Sequence, residues 1–249
     1  MNNMSSSQNK PLFITFEGGD GAGKSTHINF LARVLEHAGY EVISVREPGS
    51  TQIGERIRDI LLDTKYEAMS PEAELFLYEA ARAQLVHEII APALQQGHVV
   101  LCDRFSDSTI AYQAYGRKLS KDFIEEANRF ACTGIQPQAT ILMKAPSIDA
   151  GIKRATKDIP ADRLELEGSD FHVRVQQGFN EIAHDNPERV HVVVSADTKA
   201  QTARLICSYL SEVFPILRKI PDEVFQALDT GMLHEVLQHV DFLDNEVLV

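Results

Sequence analysis

Gly18-Gly19-Asp20-Gly21-Ala22-Gly23-Lys24-Ser25, followed by Thr26, is the stretch from which the rest of the chain can be read. It has the spacing GxxxxGK[ST], in which a glycine-rich loop wraps a polyphosphate with its backbone N–H groups. Glycines recur because a Cβ would hold the backbone off the phosphate. Lys24 brings a compact charge to the outer phosphates, and the Ser25 hydroxyl is suited to ligate Mg²⁺. Both flanks fit. Leu12 to Glu17 (LFITFE) is a short apolar run that reads as a buried strand. Lys24 to Ala38 carries Ile28, Leu31, Leu35 and Ala38 on one helical face, with Gly39 placed to stop it. Such a helix turns its positive end toward the anion. The dinucleotide-binding spacing GxGxxG cannot be laid over this loop.

Outward from the loop, Glu41 to Arg46, His98 to Cys102, Thr140 to Lys144 and Val190 to Val194 read as four further strands. Thr51 to Leu62 has helical period, with Ile53, Ile57, Ile60 and Leu61 expected inward. Ser70-Pro71 is a good helix start, and that helix is expected to reach Gln96 with a bend at Pro92. Lys65 to Met69 reads as a loop. Strands alternating with helices predict an α/β fold, a parallel sheet covered on both faces. The 249 residues suit one such domain plus appendages.

Composition narrows the function. No run approaches the ~18–20 apolar residues of a membrane span. Residues 1–10 are polar and lack the apolar centre of a signal peptide, so a cytoplasmic protein without a membrane partner is expected. Cys102, Cys132 and Cys207 stand far apart with no CxxC pair, and read as buried reduced thiols. The nine histidines form no metal-binding pattern. A net charge of −12 argues against a nucleic-acid surface. An acidic protein that binds phosphates must gather its cations locally. One such place is the end of the third strand, Asp103-Arg104. Asp103 suits a Mg²⁺ contact through water. Arg104 is a cation where a hydrolysing enzyme would need a water-orienting group, which favours transfer to a phosphorylated acceptor.

Five motifs occur in order: Phe16 to Thr26, Arg46-Glu47-Pro48-Gly49, Tyr78-Glu79-Ala80-Ala81-Arg82, Asp103-Arg104-Phe105 and Ala111-Tyr112-Gln113. Over roughly Leu12 to Phe214 the chain resembles the bacterial thymidylate kinases, which phosphorylate dTMP to dTDP with ATP in dTTP synthesis. The resemblance implies a P-loop nucleoside monophosphate kinase fold with a five-stranded parallel core, a lid at about 154–168, Mg²⁺ as cofactor and a homodimer. It places Gly18 to Thr26 around ATP, and Ser25 and Asp103 near the metal. Asp20 would meet the acceptor's sugar hydroxyl, and Glu47 would lie near the acceptor and Mg²⁺. Arg58, Arg82 and Arg104 look like a clamp for the dTMP phosphate, since guanidinium forks suit phosphate oxygens. Tyr78 would stack on thymine, Thr109 and Gln113 would bond its edge, and Tyr112 would crowd the sugar 2′ position. Asp162-Arg163-Leu164-Glu165 resembles the lid signature. The loop itself has no arginine, so Arg163 is expected to supply the cation for the transferring phosphoryl group, with Arg154 second. Ser195-Ala196-Asp197 falls where an adenine-contacting loop is expected.

Ser50 and Ala114 stand where the family usually has glycine, and Thr156 to Ala161 is poorer in arginine than in many relatives. A kinase of dUMP, UMP or CMP, or a weakly active relative serving as a scaffold, are the alternatives. The chain divides into a polar tail (1–10), the kinase-like domain (11–214) and an acidic extension (215–249). In the extension seven acidic residues face two basic ones, and Val224, Leu228, Leu233, Val236 and Val240 recur at helical spacing. Packing on the core, binding an unknown partner and disorder all remain open for it.

Overall fold

The protein is described here by a computed structural model covering residues 12–157 and 161–241. The polar tail 1–10, residues 158–160 of the expected lid and residues 242–249 lie outside the described residues. Five strands form one sheet: β1 (Leu12–Glu17), β2 (Val42–Arg46), β3 (Val99–Asp103), β4 (Ala139–Lys144) and β5 (Val190–Val194). All pairs are parallel, in the order β2-β3-β1-β4-β5. β1 is therefore central. Phe16 pairs with Asp103 on one side and Ile141 on the other.

Every residue of β1 is buried, because both sheet faces are covered. Ile14 and Phe16 pack toward α1 (Lys24–His37), while Phe13 packs with Val100, Cys102 and Phe105 on the opposite face. Between β2 and β3 lie α2 (Gln52–Leu62), α3 (Pro71–Leu85) and α4 (Ala91–Gln95). The bend expected at Pro92 appears one turn earlier, as a widened turn over Val86–Ile90. Proline has no N–H, and its ring clashes with the carbonyl four residues back, so the preceding turn gives way. α2 departs from the expected face. Leu61 is buried, but Ile53 and Ile60 are 53% and 41% exposed. α2 packs mainly on α3, so only one edge of its apolar stripe is covered.

The chain continues through α5 (Ser106–Thr109), a wide turn over Ile110–Gly116, α6 (Lys121–Ala131), α7 (Ile148–Ala155), α8 (Ser169–Asp185) and α9 (Lys199–Leu210). Then come α10 (Asp222–Thr230) and α11 (Leu233–Leu237). Val224, Phe225, Ala227, Leu233 and Leu237 join the core that includes Phe30 and Leu31 of α1, and the Phe225 ring lies 5.6 Å from that of Phe30. Gly231, at φ 78°, ends α10 in the left-handed conformation that glycine adopts without strain. The three cysteines are buried and free. Among the described residues no helix is long and apolar enough to cross a membrane.

Candidate active site

The C-terminal ends of β1, β2, β3 and β4 place Glu17, Arg46, Asp103 and Lys144 along one rim of the sheet, where ligands bind in such folds. The glycine-rich loop leaves β1 there. Gly18, Gly21 and Gly23 have φ of 122°, 68° and 94°. A Cβ on Gly18 would run into the Met143 carbonyl of β4, so this position demands glycine. Lys24 is buried, and its Nζ donates to the Gly18 and Gly19 carbonyls at 3.1 and 3.0 Å. Burial lowers its pKa. The Ser25 hydroxyl donates to Asp103 Oδ2 at 2.8 Å. A hydroxyl and a carboxylate side by side are hard oxygen donors of the kind Mg²⁺ takes.

A cleft of about 620 Å³ opens over this loop. Asp20 to Thr26 line it, together with Asp103, Arg104, Arg154 and the segment Ser195 to Lys199. Gly18 and Gly19 do not. They line a neighbouring cavity and accept from Lys24 instead. Ser195 Oγ donates to the Ala22 carbonyl at 2.9 Å, which ties the 195–199 wall to the loop.

A second cavity adjoins the first. Asp20, Glu47, Arg58 and Arg104 border both. Tyr78, Arg82, Thr109, Tyr112 and Gln113 line the second as well, so all eight residues expected around dTMP converge on it. Its volume is about 80 Å³, below the ~300 Å³ at which pockets begin to hold small ligands. Its walls must part to admit one.

Arg104 stands between the two cavities. Its backbone has φ 69°, and its N–H donates to the Phe16 carbonyl at 2.9 Å. Non-glycine residues held this way cluster at functional sites. Nη1 donates to the Gly18 carbonyl at 2.9 Å and Nη2 pairs with Asp20 at 2.5 Å. The guanidinium also lies 5.2 Å from the Tyr112 ring centre. Burial pushes the Asp20 pKa up, but Arg104 and Lys24 outweigh it and hold the carboxyl at about 2. Asp20 is therefore charged at neutral pH.

Arg82 differs from the expectation of a free phosphate clamp. It is 1% exposed, and four of its five N–H groups already have protein acceptors. Nε and Nη2 bind Glu47 Oε2 at 2.9 and 2.6 Å, and Nη1 binds Glu79 and Asn128. It fixes Glu47 at the rim. Burial raises the Glu47 pKa to about 7 against the pull of Arg82, and Glu47 Oε1 has no hydrogen-bond partner. Thr109 Oγ1 is likewise buried and unpartnered. Orphaned polar atoms in a cavity are what a polar ligand would satisfy. Arg58 donates to the Pro48 carbonyl at 3.0 Å, which leaves most of its guanidinium for the cavities. Gln113 spends one N–H on Glu74 at 2.8 Å and keeps its carbonyl oxygen.

Arg163, expected to supply the cation for the transferring phosphoryl group, lines neither cavity. Its Nε donates to the Leu61 carbonyl at 2.9 Å and its Nη2 pairs with Glu74 at 2.6 Å, in a buried position. Glu74, a buried carboxylate on α3, takes it, and spacing alone does not reveal that partner. Arg154, the second candidate, lines the cleft. Glu74 was missed by the sequence reading. It holds Gln113, Arg117 and Arg163 together. Its signal was its position four residues before Tyr78 and eight before Arg82, on one face of α3. Glu17 was missed too. It accepts from Phe105 N–H at 2.8 Å and Ser108 Oγ at 2.5 Å beneath Arg104. Burial and the nearby Asp107 raise its pKa to about 8.

A parallel sheet with a phosphate cradle after its central strand, and an arginine set between that cradle and a second cavity, defines a P-loop kinase. Comparison with known proteins narrows the class. Residues 16–206 match the family model described as thymidylate kinase. A thymidylate kinase of Trichlorobacter lovleyi is 45% identical over 201 residues, spanning 78% of this chain and 94% of that relative. One of Geobacter sulfurreducens is 45% identical over 209 residues, spanning 82% of this chain and 98% of that relative. A crystal structure of thymidylate kinase from Ehrlichia chaffeensis superposes with a TM-score of 0.61 at 34% identity, over 73% of this chain and 91% of that one. This chain belongs to the thymidylate kinase family.

Proposed function

We propose that this chain transfers the γ-phosphoryl group of ATP to dTMP, giving dTDP and ADP. The carrying observation is that Arg104 and Asp20 border both cavities at once, so one ion pair separates donor from acceptor. In this reading Lys24 and the loop amides hold the ATP phosphates, while Arg58 and Arg104 hold the dTMP phosphate in line with them. Positioning and charge then carry catalysis, with no covalent intermediate on the protein. Mg²⁺, held at Ser25 and Asp103, would neutralise charge on the β- and γ-phosphates. Among the described residues no group of three or more His, Cys, Asp or Glu side chains converges as a metal site. That suits a cation that keeps most of its waters.

Thymine would lie against Tyr78, with Thr109 Oγ1 and the Gln113 amide at its edge. The Tyr112 hydroxyl, 3.5 Å from Asp20 Oδ2, would fill the space of a ribose 2′-hydroxyl. Arg154 would supply the cation for the moving phosphoryl group. A homodimer is supported by apolar side chains left outside on neighbouring helices. Ile53 and Ile60 of α2, Phe76 of α3, and Phe123 and Phe130 of α6 are all exposed. Buried free thiols fit a cytoplasmic enzyme.

The test is ADP release from Mg-ATP with dTMP, dUMP, UMP, CMP, dCMP, AMP and GMP offered singly. Selective turnover with dTMP is expected. Turnover with another monophosphate would overturn the thymine pocket. Release without any acceptor, or with none of the seven, would overturn the transfer.

A further inference from the structure

The family model ends at residue 206, and the Geobacter relative is covered almost entirely by part of this chain. α10 and α11 lie beyond that model, yet one of their side chains bonds the backbone of a segment that lines the cleft. Asp229, near the end of α10, accepts from Lys199 N–H at 2.8 Å and Ala200 N–H at 3.3 Å. These are the first two amides of α9, whose third free amide, that of Gln201, is taken by Thr198 Oγ1. A carboxylate there also meets the positive end of the helix.

The segment so held is a wall of the larger cleft. Ser195 to Lys199 line it, and two contacts tie that wall to the phosphate loop. One is Ser195 Oγ on the Ala22 carbonyl. The other is His27, buried, with Nδ1 2.8 Å from the Gly23 carbonyl and Nε2 3.3 Å from the Lys199 carbonyl. Lys199 is thus held through its N–H by α10, and its carbonyl faces the ring of His27 on α1. α10 itself is anchored independently. Val224 and Phe225 are buried, and Arg204 of α9 pairs with Asp222 at 2.5 Å and lies 4.4 Å from the Phe225 ring centre.

We propose that Asp229 is a positioning residue for the donor nucleotide. By capping α9, the C-terminal extension fixes the wall against which the base of ATP rests. The proposal rests on the reading that this cleft holds ATP.

Four proteins test it: wild type, Asp229→Ala, Asp229→Asn and Arg204→Ala. Asn keeps an oxygen that can accept the two N–H groups. Arg204→Ala loosens α10 without touching the cap. In Asp229→Ala, KM for ATP should rise roughly tenfold, the scale of one charge-assisted hydrogen bond, with KM for dTMP unchanged. Asp229→Asn should restore most of the loss. Arg204→Ala should lower Tm and leave KM for ATP as in wild type. An unchanged KM for ATP in Asp229→Ala overturns the proposal, as does an equal rise for both substrates shared by Arg204→Ala. Wild-type protein without dTMP-dependent turnover would remove the nucleotide reading instead. Hydrogen exchange then judges the contact itself. Faster exchange at the Lys199 and Ala200 amides in Asp229→Ala supports the cap, and unchanged exchange overturns it.

Discussion

In the larger cleft one wall is a single unbroken stretch of chain, Asp20 to Thr26, shaped by the glycine-rich loop. The lining of the acceptor cavity comes mostly from the loop after β2, from α2, α3, α5 and the turn after it. The first site is shaped by glycine dihedrals and one strand-to-helix step. The second is held by a buried web, Arg82 on Glu47 and Glu79, and Glu74 on Gln113, Arg117 and Arg163. A backbone site tolerates side-chain loss structurally while losing chemistry. A site of interlocked charges loses stability when one member is removed, because the partner is left buried and unpaired.

The sharpest break in that comparison is Lys24→Ala. Phosphoryl transfer should fall by about 10³-fold or more, while the urea midpoint stays near wild type, since the amides that shape the loop remain. A midpoint shift as large as a core mutation's would contradict the contrast. Arg154→Ala and Arg163→Ala should separate next. Loss of Arg154 should slow turnover by roughly 10³-fold with stability kept. Loss of Arg163 should spare kcat and lower stability, because Glu74 loses a buried partner. The reverse pattern in steady-state kinetics and melting would restore Arg163 to the phosphates. Arg82→Ala should cost about 3–5 kcal/mol of folding free energy by urea titration, since Glu47 and Glu79 would both lose their cation. Arg58→Ala should leave stability alone and raise KM for dTMP.

The two sites were unequally legible in the sequence for the same reason. The glycine loop is local, and its flanking strand and helix are where Leu12 to Glu17 and Lys24 to His37 fall. All five strands are also local apolar runs, and each appears within a residue of its expected place. The acceptor residues are scattered, and were expected only because the ordered motifs resemble a family. Which arginine takes which carboxylate was not readable at all, as Arg163 on Glu74 shows. It depends on helix packing, and α2, with Ile53 and Ile60 outward, shows how a correct period can still assign the wrong face. α10 had a legible period, but Asp229 on α9 is a contact across 30 residues that no pattern encodes.

A smaller effect concerns pH, and it tests whether the floor beneath Arg104 behaves as a buried web. Glu17 titrates at about 8 in the fold and 4.5 when free, chiefly through burial. The folded protein therefore keeps a proton that the unfolded chain gives up. The stability from that proton is fully present below about 4.5 and is lost as pH rises through 8. Glu47, raised to about 7, adds a slope of the same sign. Glu17→Gln imitates the protonated form. Its Tm should match wild type at pH 5 and exceed it at pH 8.5. Parallel Tm curves for the two proteins would show that Glu17 is already ionised at pH 5.

The smallest effect is expected at Ser50, where the family usually has glycine. Its φ of 66° is a left-handed conformation that glycine reaches without strain. The serine compensates locally. Its Oγ accepts from Arg46 N–H at 2.8 Å and lies 3.2 Å from the Arg46 carbonyl, bracing the loop that carries Glu47. Glycine would remove about 1 kcal/mol of backbone strain and lose hydrogen bonding worth about as much. Ser50→Gly should therefore leave Tm within a degree or two and leave KM for dTMP unchanged. A rise in KM for dTMP with Tm unchanged would show that the hydroxyl holds Glu47 in place. The acceptor cavity would then depend on a side chain of the loop after β2 that does not itself line it.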